Sequence, residues 1–410
     1  MNIKTSWMPY VWVLVLALFC LSVVTMLSNA IYNVLLGVTL LGALIHAYQH
    51  KDWAWPSRGN LLGTSLFFLC FVASILGHPE GAIINKTLSY VSWSLPFWPI
   101  FYWARKAFYR KGILAGIWIG LLSLCVSAAI LPANHDRWVG FYSQPNILAN
   151  VIEIVWPLFL LLGLQQVKEK AWRWASLNGL VTLVSLGVLA MTASRGAWMG
   201  LVGAAWVTVG LVIYGHYASQ WRKACLMTGA YIGLVIIAGL VALQVVPGDA
   251  FSRTYDYERI LLWQSAFHMW QDNPCFGIGW GHWNEVYVQG GYLSPLAKEP
   301  DLPHAHNTFM QFLSATGALG AFGYICFVVG QLVDGLRMGI SSSLREGKVY
   351  VYALALVWIC LSVAIHGLVD IGIGHRFMMY NYFMILGLLA GVMQVKRGNV
   401  CGKGIVIMNN

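Results

Sequence analysis

Apolar tracts near 20 residues long recur through most of this chain, broken by short stretches of polar residues, glycine and proline. About 20 consecutive apolar residues form a helix long enough to cross the hydrocarbon core of a bilayer. Only helices and closed barrels satisfy their backbone groups there, and the alternating pattern of barrel strands is absent. The tracts fall at 9–27, 30–47, 60–77, 88–104, 112–131, 146–166, 174–192, 197–214, 224–246, 307–336, 349–372 and 376–395. The fold class they predict is all-α, a polytopic transmembrane helical bundle of about 12 helices. The tract at 307–336 exceeds the crossing length, so it should tilt or project from the bilayer. The first tract runs straight into the second with no small-residue cleavage site, which predicts a retained helix and not a signal peptide.

One long polar stretch interrupts this pattern. It divides the chain into residues 1–246 (nine spans), 247–306 (a large loop) and 307–410 (three spans and a short tail). Within the loop, Tyr257 to Gln271 reads as an amphipathic helix whose apolar face is Ile260, Leu261, Trp263, Phe267 and Trp270. Asp272-Asn273-Pro274 stops it. Such a helix is expected either to lie along the bilayer surface or to pack as part of the loop. The run Gly277-Ile278-Gly279-Trp280-Gly281 that follows comes after no strand and before no lysine, so it is not a nucleotide-binding loop.

Composition agrees with the pattern: 59% of the 410 residues are hydrophobic, 10% are charged, and the mean hydropathy is +0.66. Average soluble chains carry roughly 25% charge. The net charge of +10 does not imply nucleic acid here, because in a membrane protein the placement of charge matters more than its sum. With the N-terminus cytoplasmic and sides alternating, only Lys86, Arg137, Arg195, Arg253, Arg259, Lys298 and Arg376 fall outside. That leaves 18 of the 25 lysines and arginines on the cytoplasmic face. Both termini are therefore expected inside and the large loop outside. The eight cysteines form no C-x-x-C or Cys/His ligand spacing, so neither a disulfide framework nor a zinc site is predicted.

Five of the seven outward basic residues are arginines, the side chain best suited to phosphate and carboxylate oxygens. Each taken alone reads as a snorkelling helix end; several beside a histidine suggest an anion site. Arg195 stands in the Ser194-Arg195-Gly196 break, where one helix ends and the next offers its N-terminal amides. Arg259 opens the loop helix. Arg137 precedes Gln144-Pro145-Asn146 at the start of the sixth span. His304, His306 and Asn307 close the loop, and His366, Asp370, His375 and Arg376 lie in or just past the eleventh span. Histidine at a membrane boundary can accept a proton near neutral pH. Asp370 could equally pair with Arg376, Glu153 could be a satisfied intramembrane carboxylate, and Asp256 with Glu258 could be read as a metal-binding carboxylate pair.

Ser194-Arg195-Gly196, Arg259 ahead of Trp263, Gly277-x-Gly279 and His306-Asn307 followed by Gly317 and Gly320 occur in the order and spacing of a known family. Over roughly residues 130–390 the chain resembles the O-antigen ligase and polymerase superfamily of membrane glycosyltransferases. The resemblance implies a GT-C-like architecture in the bacterial inner membrane with the large loop in the periplasm. It implies transfer of a glycan from undecaprenyl diphosphate to an acceptor hydroxyl, with inversion and without a metal or other cofactor. His306 would be the catalytic base, with Arg195 and Arg259 holding the diphosphate. Arg137, Gln144, Asn146, His304, Asn307, Asp370 and Arg376 are candidate substrate-binding residues, and His304 could exchange roles with His306.

The acceptor expected first is the lipid A–core, which would make the protein an O-antigen ligase with membrane lipids around it and no nucleic-acid partner. A polymerase would use a second lipid-linked glycan, and a protein glycosyltransferase a side-chain hydroxyl. A transporter of lipid-linked glycan is the rival from another class. Transporters place substrate groups near mid-membrane, often in repeated halves, whereas the polar groups here gather at one boundary and no repeat is visible.

Overall fold

The computed structural model describes residues 7–26, 28–245, 254–298, 301–340 and 348–404. The described chain is almost entirely helical. In order, the helices are α1 (Met8–Thr25), α2 (Asn29–His50), α3 (Arg58–Ala73), α4 (Gly81–Ser92), α5 (Phe97–Ala104), α6 (Ala107–Ile130) and α7 (Pro145–Lys168). There follow α8 (Trp172–Met191), α9 (Arg195–Tyr217), α10 (Trp221–Val245), α11 (Thr254–Asp272), α12 (Trp283–Gln289), α13 (Thr308–Ile340), α14 (Lys348–His366) and α15 (Arg376–Gly404). Among the described residues, ten helices are long and apolar enough to cross a membrane. Large apolar side chains such as Val34, Leu62, Leu69 and Leu183 point outward from them. That inverts the arrangement of a soluble domain and suits a lipid surroundings. The chain is a multi-pass membrane protein.

Two of the expected spans differ. The tract at 88–104 is not one helix: α4 ends at Ser92, residues 93–96 turn, and α5 begins at Phe97. Pro96 explains the break, since its ring would clash with the carbonyl four residues earlier and it has no N–H to donate. The tract expected at 349–372 stops being helical at His366, and residues 367–375 form a loop that carries Asp370. α10 is not among the ten, and the side chains of its last residues lie outside the described set.

Close helix approach sets the scaffold. Gly112, Gly116 and Gly120 put a bare stripe of α6 against α1, where a Cβ on Gly112 or Gly116 would lie 2.2 Å from the carbonyl oxygen of Val13 or Ala17. Small residues at this spacing let membrane helices pack backbone to backbone. α3 lies along α13, and α9 along α14.

The loop helix α11 turns a different face inward from the one expected. Leu261, Leu262, Ala266 and Met269 are buried, whereas Ile260 and Phe267 are exposed. Of these, Leu262, Ala266 and Met269 pack against Ile278, Trp283, Tyr287 and Ala305 in a small core belonging to the loop itself. The loop then docks on a break in α13. Gly317 has φ 70° and ψ −172°, which leaves carbonyls in the preceding turn without helical partners. The amides of Ile278 and Gly279 donate to the oxygens of Ser314 and Ala315 at 2.9 and 3.0 Å, and Ala318 donates to Pro274 at 2.8 Å. A Cβ on Gly277 or Gly317 would overlap the opposing backbone at 2.5 and 2.3 Å. The glycines of the motif therefore serve this junction, which hands the chain on to residues 304–308.

Candidate active site

Four loops meet at one end of the bundle: residues 131–144 between α6 and α7, 192–194 between α8 and α9, 301–307 before α13, and 367–375 between α14 and α15. Between them lies a cavity of about 520 Å³. Its walls include Asn134, His135, Arg137, Asn146, Ser194, Arg195, Gly196, Glu258, Arg259, Leu262, Leu302, His306 and Asp370.

His306 is held from several directions. Its backbone is left-handed at φ 46°, unusual for a residue with a side chain. Just after it, Asn307 caps α13, its Oδ1 accepting the Met310 amide at 3.0 Å while its Nδ2 donates to the Leu368 carbonyl at 2.8 Å. The Thr308 amide donates to Gly367 at 2.6 Å. The Thr308 hydroxyl donates to the Asp370 carbonyl at 3.2 Å and accepts from the Gly372 amide at 2.8 Å. Trp263 of α11 donates to the His306 carbonyl at 3.4 Å. These bonds strap residues 306–308 onto the 367–372 loop and so bring His306 to Asp370.

The side chains then form a chain of contacts. His306 Nδ1 lies 3.1 Å from Asp370 Oδ1, which also accepts the Ile371 amide at 2.8 Å. Asp370 Oδ2 accepts from Asn146 Nδ2 at 2.7 Å. Asn146 Oδ1 in turn accepts from Arg137 at 2.7 Å, and the same guanidinium donates to the Thr192 carbonyl at 2.7 Å. Asp370 is buried, which by itself would disfavour its charge. The hydrogen bond from His306 and the nearby histidine charges outweigh that and hold the carboxyl well below the usual carboxylate range. In a neutral His306, an ionised Asp370 favours the tautomer that carries its proton on Nδ1 and its lone pair on Nε2. Asp370 thus pairs with His306 and Asn146 and not with Arg376.

The lining is also strongly cationic. Arg195 opens α9, and the N-cap Ser194 makes no side-chain cap bond, so the first amides of α9 are not closed off by it. Together with Arg137 and Arg259 this surrounds the cavity with three guanidinium groups and a helix N-terminus, a constellation suited to a doubly charged anion. Behind Arg195 sits a buried polar pair. His366 Nδ1 is 2.6 Å from Glu153 Oε2, and Ser362 donates to Glu153 Oε1 at 2.5 Å. Glu153 is thus a satisfied intramembrane carboxylate. Gly196 and Gly200 of α9 make room for the pair, since a Cβ on either would lie 2.7 Å from His366 Nε2 or 2.2 Å from Glu153 Oε1.

The remaining candidates stand elsewhere. His304 does not line the cavity but backs His306, with ring centroids 4.2 Å apart and its Nδ1 3.4 Å from the His306 amide. Burial, reinforced by the His306 charge, lowers its pKa to about 3, so it is neutral at working pH. His375 is likewise lowered to about 4 by burial and by Arg376. Arg376 stacks on Phe377 at 4.6 Å, and Gln144 is exposed at the N-cap of α7. Asn307 acts through the backbone as described. Glu258 lines the cavity and accepts the Lys298 amide at 2.7 Å, while the side chain of its suggested partner Asp256 lies outside the described residues. No group of three His, Cys, Asp or Glu side chains among the described residues is placed to hold a metal ion. Thr308 was not foreseen as part of the site. Its only sequence signal is that it follows the capping Asn307.

Comparison with protein families finds that residues 180–325 match the family described as Wzy_C, O-antigen ligase. The match runs from α8 into α13, so it takes in Arg195, Arg259, His304 and His306, while Arg137, Asn146 and Asp370 lie outside it. Comparison with curated protein sequences gives no match.

Proposed function

We propose that this membrane protein, whose residues 180–325 match the O-antigen ligase family, is a glycosyltransferase that moves a glycan from undecaprenyl diphosphate to a sugar hydroxyl of the lipid A–core. The proposed setting is the periplasmic face of a bacterial inner membrane, with both termini cytoplasmic and residues 247–306 in the periplasm. The 18 basic residues that the alternating topology assigns to the cytoplasmic side support that orientation. One observation carries the chemical reading: a histidine oriented by a carboxylate, three arginines and the N-terminus of α9 share one cavity.

In this reading the acceptor hydroxyl gives its proton to His306 Nε2 while its oxygen attacks the anomeric carbon. A new glycosidic C–O bond forms, the bond from the anomeric carbon to the phosphate oxygen breaks, and undecaprenyl diphosphate leaves with the electron pair. Attack from the side opposite the leaving group inverts the anomeric centre. Asp370 keeps the His306 tautomer correct and stabilises the imidazolium that forms. Arg195 and Arg259, with Arg137 beside them, meet the charge that grows on the diphosphate, which other enzymes assign to a divalent ion. Positioned acid–base groups of this kind contribute typically about 10²–10⁴-fold.

The test is transfer by purified protein from a synthetic undecaprenyl-diphosphate glycan to lipid A–core, with and without EDTA, for wild type, His306→Ala and Arg195→Ala. Product from wild type alone, unchanged by EDTA, is the expected result. Lengthening of the lipid-linked glycan instead would make the protein a polymerase, and gradient-driven uptake that survives His306→Ala would make it a carrier.

A further inference from the structure

At the end of the bundle opposite the cavity, α6, α7, α8 and α14 leave a groove of about 720 Å³ between them. Its composition is graded along the helices. Arg110 and Lys111 stand in the first turns of α6, and two turns further along, about 12 Å at the helical rise, the lining is Trp118 and Ile119. α7 repeats the gradient in reverse: Phe159 and Leu162 lie inside, Gln165 and Gln166 nearer its end. The polar end is cationic on balance. Glu169 is the one acidic residue in the lining, and the corner beside it adds Lys168 at the end of α7, Lys170 in the turn and Arg173 in the first turn of α8. Arg110 is fixed in place, donating from Nε to the Ala104 carbonyl at 2.9 Å and lying 5.9 Å over the Tyr352 ring.

We propose that this groove binds one anionic phospholipid, with its phosphate at Arg110 and Lys111 and an acyl chain along Trp118 and Leu162. A cationic mouth over an apolar trough matches the two halves of such a lipid, and basic pockets between transmembrane helices on the cytoplasmic side recognise anionic headgroups. The excess of positive charge favours an anionic over a zwitterionic headgroup. In the proposed orientation the lipid belongs to the cytoplasmic leaflet, on the face away from catalysis. The inference does not depend on the transferase reading.

Native mass spectrometry of the full-length, lipid-depleted protein tests it, using equimolar phosphatidylglycerol and phosphatidylethanolamine with identical acyl chains. Wild type should retain phosphatidylglycerol preferentially. Lys111→Gln should lower that preference about five-fold, the effect of one surface charge. Ala115→Trp, which fills the groove from α6, should remove both adducts. Arg222→Gln, exposed in the first turn of α10 at the same end, should change nothing. Equal retention of the two lipids by wild type would overturn the proposal. So would equal losses in Arg222→Gln and Lys111→Gln, or wild-type binding by a folded Ala115→Trp. If Ala115→Trp melts early, Lys111→Gln against Arg222→Gln decides.

Discussion

Replacing Asp370 by Asn probes the centre of the site with almost no change in volume. The carboxylate accepts three hydrogen bonds, from His306 and the Ile371 amide on Oδ1 and from Asn146 on Oδ2. An amide keeps one acceptor and substitutes a donor for the other. With its oxygen toward Ile371, its NH₂ meets the NH₂ of Asn146, and relieving that clash flips Asn146 and removes the acceptor that holds Arg137. With its NH₂ toward His306, the ring must shift to the tautomer protonated on Nε2, which cannot take a proton from the acceptor. Either arrangement disables one part of the proposed chemistry. The predicted fall in kcat is about 10²–10⁴-fold, roughly 3–5 kcal/mol of barrier. Steady-state transfer by purified protein measures it, with gel filtration and melting temperature checking the fold. Because His306 and Asp370 act as a unit, the double variant should lose little more than His306→Ala alone. Near-normal kcat in Asp370→Asn, or losses that multiply in the double variant, would refute the pairing as a functional one.

Arg195→Lys keeps the charge but loses the planar fork that meets the charge growing on the diphosphate, so transfer should weaken mainly through a lower kcat, readable from rates at saturating lipid-diphosphate donor. Gly200→Ala pushes a methyl into Glu153 and the Ser362 carbonyl, at 2.2 and 2.6 Å, and should destabilise the α9–α14 seam by about 1–3 kcal/mol, seen as a lower melting temperature in detergent. Stability should fall as the pH drops from about 6.5 toward 4. In that window the unfolded chain protonates His304 and His375, whose folded values are depressed to about 3 and about 4, while the folded chain does not. Below about pH 4 the stability contributed by Asp370, whose folded value is also lowered, is lost in addition. A melting temperature flat between pH 6.5 and 4.5, or unchanged in slope by His304→Gln, would contradict this account.

The sequence alone determined that the chain is a helical membrane protein, because long apolar tracts have no other stable form in a bilayer. It also marked residues that line the candidate cavity: His306, Arg195, Arg259, Arg137 and Asn146 stand where polar residues interrupt apolar runs, and such residues are legible because their position costs energy. Local rules failed where a proline or a long-range bond intervened. Pro96 split a span that hydropathy alone read as continuous. The 367–375 loop leaves helical geometry, with the Gly367 carbonyl and the Gly372 amide bonded to Thr308, some 60 residues earlier in the chain. Only the tertiary structure decided which ambiguous side chains act together. Asp370 had Arg376 six residues away, yet its partners are His306 and Asn146, 64 and 224 residues distant. Sequence distance carries no information about such pairs, since helix packing and the strap across α13 set them. The face of α11 was decided in the same way: Ile260 and Phe267 are as apolar as Leu262 and Met269, and only the loop core it meets selects which pair is buried.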